Sequence, residues 1–364
     1  MKHFLALLLL IPILFACEEP EVIIQEVEVP REVDFEELDF SRGVFQRFFT
    51  MEKVGESILA LGENRIARIN IDGNHDNCVF FWNDANKEPI SEEFYLNSTE
   101  TALQFWSSKS GSICSDQLRT NLRNDSIDTE VNPNPLSQLR FLENYALISG
   151  NHVLYPYSTG PEMQLKLALI EMDLTENRGT FARVFAGDVQ KIAFPGVSII
   201  DYTFLQWSLD DGFIFSIGGI DPNAYGTYKI NTDGSSQKIF DRLFIRVFTY
   251  QGRLYAMYDY FNQSYIMESQ DGGVSWTQRF VADGIALAAT TFYELDGELI
   301  GHWNGQLVLV EKFTNDLFKT VELNPRELEN DYITSISKLG DKVYISTLSG
   351  LFSRDWEEFL ADKK

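Results

Sequence analysis

Basic residues are scarce in this chain. Its 364 residues carry 30 Lys+Arg against 54 Asp+Glu, a formal charge of −24. Binding to nucleic acid depends on clustered cations that displace counterions from phosphate. No basic stripe exists here, so nucleic acid is excluded as a main partner. Histidine is scarcer still. His3, His75, His152 and His302 are the full set, and no two stand at a spacing suited to a metal or a nucleophilic triad. No Gly-x-Ser-x-Gly elbow accompanies them. Cysteine is limited to Cys17, Cys78 and Cys114, with none at zinc-ligand spacing from another. On these grounds no metal and no cofactor is expected. No apolar run reaches the roughly 20 residues of a membrane-spanning helix; the longest, Phe4 to Phe15, is broken by Pro12. What the chain has in plenty is aromatic side chains: 28 Phe, 15 Tyr and 6 Trp exclude a solvated coil. The length suits one large domain or two ordinary ones with a sizeable core.

The N-terminus reads as an export signal: Met1-Lys2-His3 is a short positive start, the apolar run follows, and Ala16 precedes Cys17. Leu14-Phe15-Ala16-Cys17 resembles the lipobox of bacterial lipoproteins. That resemblance implies cleavage before Cys17, then diacylglycerol on its thiol and an acyl chain of the palmitate kind on the new N-terminus. Several chains anchor firmly where one, at ~0.8 kcal/mol per buried CH₂, is marginal. Residues 18–40 then hold ten acidic residues and a single base, Arg31, the composition of a self-repelling tether. Glu18-Glu19 is similar to the acidic residues that follow the lipid cysteine in surface lipoproteins of Bacteroidota, which implies the outer membrane and its outer surface, with the periplasmic face as the other option. Alternation over Val22 to Val33 allows an edge strand where the tether meets the body. The expected organisation is a signal peptide over 1–16, a lipidated cysteine and acidic tether over 17–43, and a folded body over 44–360. Once Cys17 is set aside, Cys78 and Cys114 form an even pair in an exported chain. A disulfide between them closes a loop of roughly 36 residues and contributes ~3–4 kcal/mol on the chain-entropy estimate; two buried free thiols are the alternative.

From residue 44 onward, β-branched and aromatic runs alternate with Gly, Asp and Asn turns, which predicts an all-β body. One unit recurs: a strand, a tight turn with Gly, and a second, more apolar strand. Its turn glycines Gly212, Gly252, Gly297 and Gly340 are spaced 40, 45 and 43 residues apart. That is the blade period of a β-propeller, whose four-stranded sheets stack face to face round an axis. Seven blades are expected, with six as the next count. A second turn type follows each unit, in Ile69-Asn70-Ile71-Asp72-Gly73, Ile230-Asn231-Thr232-Asp233-Gly234 and Glu268-Ser269-Gln270-Asp271-Gly272. Its Asp accepts backbone N–H groups and its Gly supplies the positive φ. Residues 73–140 are irregular and are expected to hold one blade and an insertion.

Ser269-Gln270-Asp271-Gly272-Gly273-Val274-Ser275-Trp276 matches Ser-x-Asp-x-Gly-x-Ser/Thr-Trp. It resembles the Asp-box, or BNR repeat, of sialidases, sortilin-type receptors and exported glycan-binding propellers. The resemblance implies a structural hairpin between the outer two strands of a blade, built on Ser269, Asp271, Gly273, Ser275 and Trp276 and lying away from the ligand face. Ser353-Arg354-Asp355-Trp356 reads as a degenerate copy.

Chemistry is harder to find. A sialidase pattern calls for three clamping arginines and an early Arg-Ile-Pro, and Arg65-Ile66-Ala67 lacks the proline. The acidic body is also a poor field for an anionic sugar. Asp72-Gly73-Asn74-His75-Asp76-Asn77 alternates oxygen ligands but departs from the EF-hand at its sixth and twelfth positions. No catalytic residue is identified. Trp82, Trp106, Trp207 and Trp303 lie near predicted turns, where rings can stack on a sugar or a partner or else pack between sheets. The expected function is therefore a non-catalytic, lipid-anchored envelope propeller that binds a glycan or serves an outer-membrane protein complex. The alternative is a carbohydrate-active enzyme, for which a pair of carboxylates in an axial pocket is required.

Overall fold

The computed structural model describes residues 34–38, 47–62, 65–79, 86–91, 94–98, 103–107, 131–132, 147–159, 164–173, 177–178, 181–182, 185–198, 203–218, 225–261, 263–283, 286–314 and 317–364. All belong to one compact unit, Asp34–Lys364. The expected signal peptide, Cys17 and the Val22 to Val33 alternation lie outside the described residues, as does Cys114.

The chain opens with the short strand β1 (Glu36–Glu37). β2 (Phe48–Val54), β3 (Ser57–Gly62), β4 (Arg65–Asn70) and β5 (His75–Val79) form an antiparallel meander, and β6 (Asn86–Ser91), β7 (Phe94–Ser98) and β8 (Leu103–Ser107) form the next. A third sheet takes β9 (Val131–Asn132), β10 (Leu147–Ser149), β11 (His152–Thr159) and β12 (Gln164–Asp173); after the separate hairpin of β13 (Asn177–Arg178) and β14 (Phe181–Ala182), β15 (Phe185–Ser198) completes it. The next meander is β16 (Thr203–Leu209), β17 (Gly212–Gly218), β18 (Gly226–Asn231) and β19 (Ser236–Phe240). It is followed by β20 (Arg246–Tyr250), β21 (Arg253–Tyr260), β22 (Gln263–Ser269) and β23 (Thr277–Asp283). The four-residue helix α1 (Ala286–Ala289) leads to β24 (Thr291–Leu295), β25 (Glu298–Trp303), β26 (Gln306–Thr314) and β27 (Leu317–Leu323). β28 (Ile333–Leu339), β29 (Lys342–Thr347) and β30 (Leu351–Asp355) end the series, β1 pairs beside β30 as the fourth strand, and α2 (Trp356–Ala361) closes the chain.

The sheets pack face to face. The β16–β19 and β20–β23 sheets share Ile214, Phe244, Ala256, Tyr258 and Met267. Phe248, Tyr255, Phe292 and Leu299 join the β20–β23 sheet to the β24–β27 sheet, and Ile300, Leu307, Ile336 and Val343 join the latter to the last sheet. The last sheet returns onto the first through Leu339, Tyr344 and Leu351 against Phe48, Met51, Ile58 and Ile69. There the Thr334 hydroxyl donates to the Phe48 carbonyl at 2.9 Å. Successive meanders with the last packed on the first are the architecture of a β-propeller. This packing explains why the second strands read as continuous apolar runs: Phe213, Ile214 and Phe215 are all fully buried, because that strand has a neighbour on both faces.

The acidic composition places the end of the tether at 43, but the folded body reaches further toward the N-terminus. Glu36 pairs with Ser353 and Glu37 with Phe352, and Leu38 N donates to Leu351 O at 2.9 Å. Phe35 is buried edge-on against Phe359 of α2, with ring centroids 6.1 Å apart. The carboxylates of an edge strand can face water while one apolar side chain holds it in place, and so the charge count conceals the strand. The body also continues past 360: Lys364 N donates to Glu322 O at 3.0 Å, and Asn324 N to Asp362 O at 2.9 Å. Asp362 receives Arg326 at 2.7 and 3.0 Å and Arg354 at 2.9 Å, which together hold its carboxyl below the usual range despite its burial.

Candidate functional site

Alternation of strand direction gives the molecule two distinct ends. In a four-stranded antiparallel meander the first–second and third–fourth turns share one end, called here the hairpin end. The second–third turns and the links between sheets share the other, the link end.

The Asp-box lies at the hairpin end, between β22 and β23. The Asp271 carboxylate accepts the Ser269 hydroxyl at 2.8 Å, Val274 N–H at 3.1 Å, Ser275 N–H at 2.9 Å and the Ser275 hydroxyl at 2.5 Å. These bonds, the Ser275 hydroxyl foremost, lower the Asp271 pKa to about 2. Gly272 and Gly273 both take positive φ, 68° and 88°. A Cβ on Gly273 would also press on Ile214 and Leu254 at 3.2 and 3.3 Å. Trp276 donates its Nε1–H to Gly273 O at 3.1 Å and packs edge-on against Phe244, with ring centroids 4.8 Å apart. Lys229 of the preceding sheet donates to Gly272 O at 2.7 Å and pairs with Asp211 at 3.0 Å. All five expected box residues therefore come together in one turn.

The related turns repeat the chemistry. Asp72 accepts Asn74 N–H at 3.0 Å, and Asp233 accepts Ser235 N–H at 2.8 Å. At Asp355 the degenerate copy departs from the expected hairpin. Its carboxylate accepts Glu357 and Glu358 N–H at 3.0 and 3.3 Å and caps α2. A fourth strand cannot follow β30 because β1 already occupies that edge, so the same capping geometry starts a helix.

A cavity of about 340 Å³ opens between the first strands β24, β28 and β2, lined by Thr50, Lys53, Tyr293, Asp296, Ser337 and Lys338, with Glu294 also on its wall. Its two carboxylates are already engaged. Glu294 accepts Gln251 N–H at 3.0 Å, and Asp296 pairs with Lys338 at 2.5 Å. Lys338 further donates to Gly340 O at 2.6 Å and lies 5.5 Å from the Trp356 ring. Deeper in, Tyr293 stacks on His302 at 5.7 Å. Burial, with the nearby Arg246 charge, lowers the His302 pKa to about 4 and keeps it neutral.

The link end has a different surface. Among the described residues the exposed large aromatics are Tyr260 at 39%, Phe261 at 82%, Trp303 at 39% and Tyr332 at 53%. Tyr260 ends β21, Phe261 follows it in the turn, Trp303 ends β25, and Tyr332 lies in the link before β28, so all four belong to this end. The exposed large aliphatics of the third–fourth turns, Ile71 and Val274, lie at the opposite one. Of the four tryptophans expected near turns, Trp303 is exposed here and Trp207 is half-buried against the cluster of Ile214 and Phe244. Trp106 lies on β8, and Trp82 is outside the described residues. Cys78 is on β5, paired with Ile66; its expected bridge to Cys114 falls outside them too. Sequence reasoning missed Tyr260, Phe261 and Tyr332. The available signal was that only two residues, Phe261 and Asn262, separate the alternating runs on either side.

No family model matches the chain, and no curated protein matches it. Among solved structures it is similar to PorZ, an essential bacterial surface component of the type-IX secretion system of Porphyromonas gingivalis, at 14% identity and a TM-score of 0.45; the match covers 90% of this chain and 38% of that one. It is similar to the Dos1 propeller at 12% identity over 88% of this chain and 81% of that one, with a TM-score of 0.47. Hsv2 of Kluyveromyces lactis is 10% identical over 83% of this chain and 90% of that one, with a TM-score of 0.45. Among the described residues no helix is long and apolar enough to cross a membrane.

Proposed function

We propose that this chain is a seven-bladed, lipid-anchored propeller of the outer envelope that binds a partner at its link end and carries out no reaction. The successive sheets are the blades, and β1 completes the last of them. Cys17 carries the lipid, and the acidic segment after it lifts the body from the bilayer. The observation that carries the binding reading is the gathering of Tyr260, Phe261, Trp303 and Tyr332 at one end, since exposed aromatic rings are what binding surfaces present. The cavity does not favour the enzyme alternative. A glycosidase needs two carboxylates free to trade protons and attack, whereas Glu294 is tied to a backbone N–H and Asp296 to Lys338. The partner is a glycan or a protein of an envelope complex.

The test is affinity of the purified chain for whatever copurifies from native membranes. Trp303→Ala and Tyr332→Ala should weaken it, and Ile71→Ser and Val274→Ser should leave it unchanged. The opposite pattern would move the binding surface to the hairpin end. Cys17→Ser should release the protein from carbonate-washed membranes; tight retention would remove the anchor.

A further inference from the structure

Phe261 is an anomaly of backbone and of burial together. β21 and β22 are joined by two residues, with Tyr260 paired to Gln263. Two-residue hairpin turns require positive φ, and elsewhere the chain fills them as expected: Gln251-Gly252, Asp296-Gly297 and Asn304-Gly305 all have positive φ at both positions. Here the first position is a phenylalanine at φ 49°, a conformation that bulky side chains avoid. Burial does not compensate for this, because the ring is 82% exposed. Strain kept at an exposed position is a signature of a functional contact.

The surroundings are ordered to support the ring. Tyr258 and Tyr265 stack at 4.8 Å with planes 12° apart, and Phe240 lies 5.1 Å from Tyr258. This aromatic ladder runs from the core between two sheets out to Tyr260, which meets Phe261 edge-on at 4.2 Å. The Arg242 guanidinium sits over it, 3.7 Å from the Tyr260 centroid and 5.7 Å from that of Tyr258. Among the described residues Arg242 has no carboxylate partner, although acids outnumber bases by 24 in the chain. Its guanidinium is positioned over the Tyr260 ring, and among the described residues no carboxylate takes its donors.

We infer that Phe261, Tyr260 and Arg242 form a docking knob for a protein partner whose surface offers an apolar pocket with a carboxylate at its rim. This rests on the binding function proposed above and names its partner class. Three features select a protein over a glycan or a bilayer. The ring sits at the tip of a two-residue turn and is convex, so it fits a concave apolar pocket; a sugar needs a flat platform with polar groups beside the ring. Arg242 has no carboxylate partner among the described residues and complements one on a partner, with bidentate geometry available. The acidic body is repelled from anionic lipid. Phe, Tyr and Arg are also the residues that anchor protein interfaces.

The experiment places a photo-crosslinking phenylalanine analogue at position 261 of the full chain in its native envelope, with control positions 303 and 71. The expected result is an adduct to one protein from position 261, mapped to a peptide that carries an acidic residue. With that protein purified, Phe261→Asn should weaken binding at least tenfold while raising Tm by about 1–2 °C, because it relieves the backbone. Arg242→Glu should abolish binding, and charge reversal of the mapped acid should restore it. Adducts from 303 but not 261 overturn the knob and leave binding at the link end standing, whereas adducts from 71 alone overturn both. No adduct from any position sinks both. An adduct to lipid, to glycan or to a second copy of this chain overturns the partner class, as does full affinity in Phe261→Asn.

Discussion

Phe35→Ala tests whether a two-residue strand closes the last sheet. Phe35 is 6% exposed. It meets Phe359, itself fully buried, at 6.1 Å with planes 70° apart, and the Arg354 guanidinium lies 5.5 Å from its ring. Truncating a buried phenylalanine costs about 3–5 kcal/mol. Roughly 0.5–1.5 kcal/mol of that belongs to the edge-to-face pair, and about 0.5–1 kcal/mol to the cation over the ring. β1 sits at a sheet edge, where the site can partly collapse, so the lower part of the range, about 3–4 kcal/mol, is expected. Urea unfolding of the full chain measures it. Glu36→Ala, at an exposed neighbouring position, is the control and should shift stability by less than about 0.5 kcal/mol. The double substitution with Phe359→Ala should fall short of additivity by about 0.5–1.5 kcal/mol, because the ring pair is lost only once. If Phe35→Ala costs no more than Glu36→Ala, the strand is adventitious and the body ends at β30.

Asp271→Asn should cost about 1–3 kcal/mol in thermal or urea unfolding and leave partner affinity intact; lost binding with unchanged stability would move the functional site to the box. Because the Asp271 pKa is lowered to about 2, its contribution is present above its unfolded pKa and is lost as pH falls toward 2. His302 behaves similarly at higher pH. Its folded pKa of about 4 lies below its ordinary 6.5, so its contribution is complete above 6.5 and lost as pH drops to 4, by about 3 kcal/mol. His302→Gln should remove that part of the slope, and identical slopes would show that the imidazole is not held neutral. Intact-mass measurement with alkylation should find no free thiol at Cys78 or Cys114; two alkylated cysteines would refute the bridge.

The repeat was legible wherever turn chemistry is local. Asp-Gly and Gln-Gly turns mark the hairpins from β16 onward, because positive φ restricts the residues allowed there. The rhythm breaks between Gly150 and Gly212, where β12, the β13–β14 hairpin and the 14-residue β15 lengthen one sheet. The Asp-box was legible in full for the same local reason. The seam was not, since β1 pairs with a strand at the far end of the chain and its acidic neighbours mask Phe35. At the link end Trp303 could be placed by its adjacency to Asn304-Gly305. Phe261 was missed although only two residues separate the alternating runs beside it, because in an aromatic-rich chain a phenylalanine reads as core; the pairing of Tyr260 with Gln263 puts it at a tip.

The shared last sheet also orders events in time. Among the described strands β1 comes first and β28 to β30 come last, so this sheet joins strands very far apart in sequence, and such contacts form slowly. Until it forms, the outer edge of β30 is an unpaired strand edge, open to pairing with another chain. β1 must therefore stay uncommitted while every other sheet assembles. A run of carboxylates is a simple means to that end: it keeps the strand soluble and unattractive to the wrong edge until Phe35 finds Phe359. The acidic composition that hides β1 from a reader of the sequence also disfavours its pairing with a wrong edge, and the last sheet is complete only when β1 meets β30.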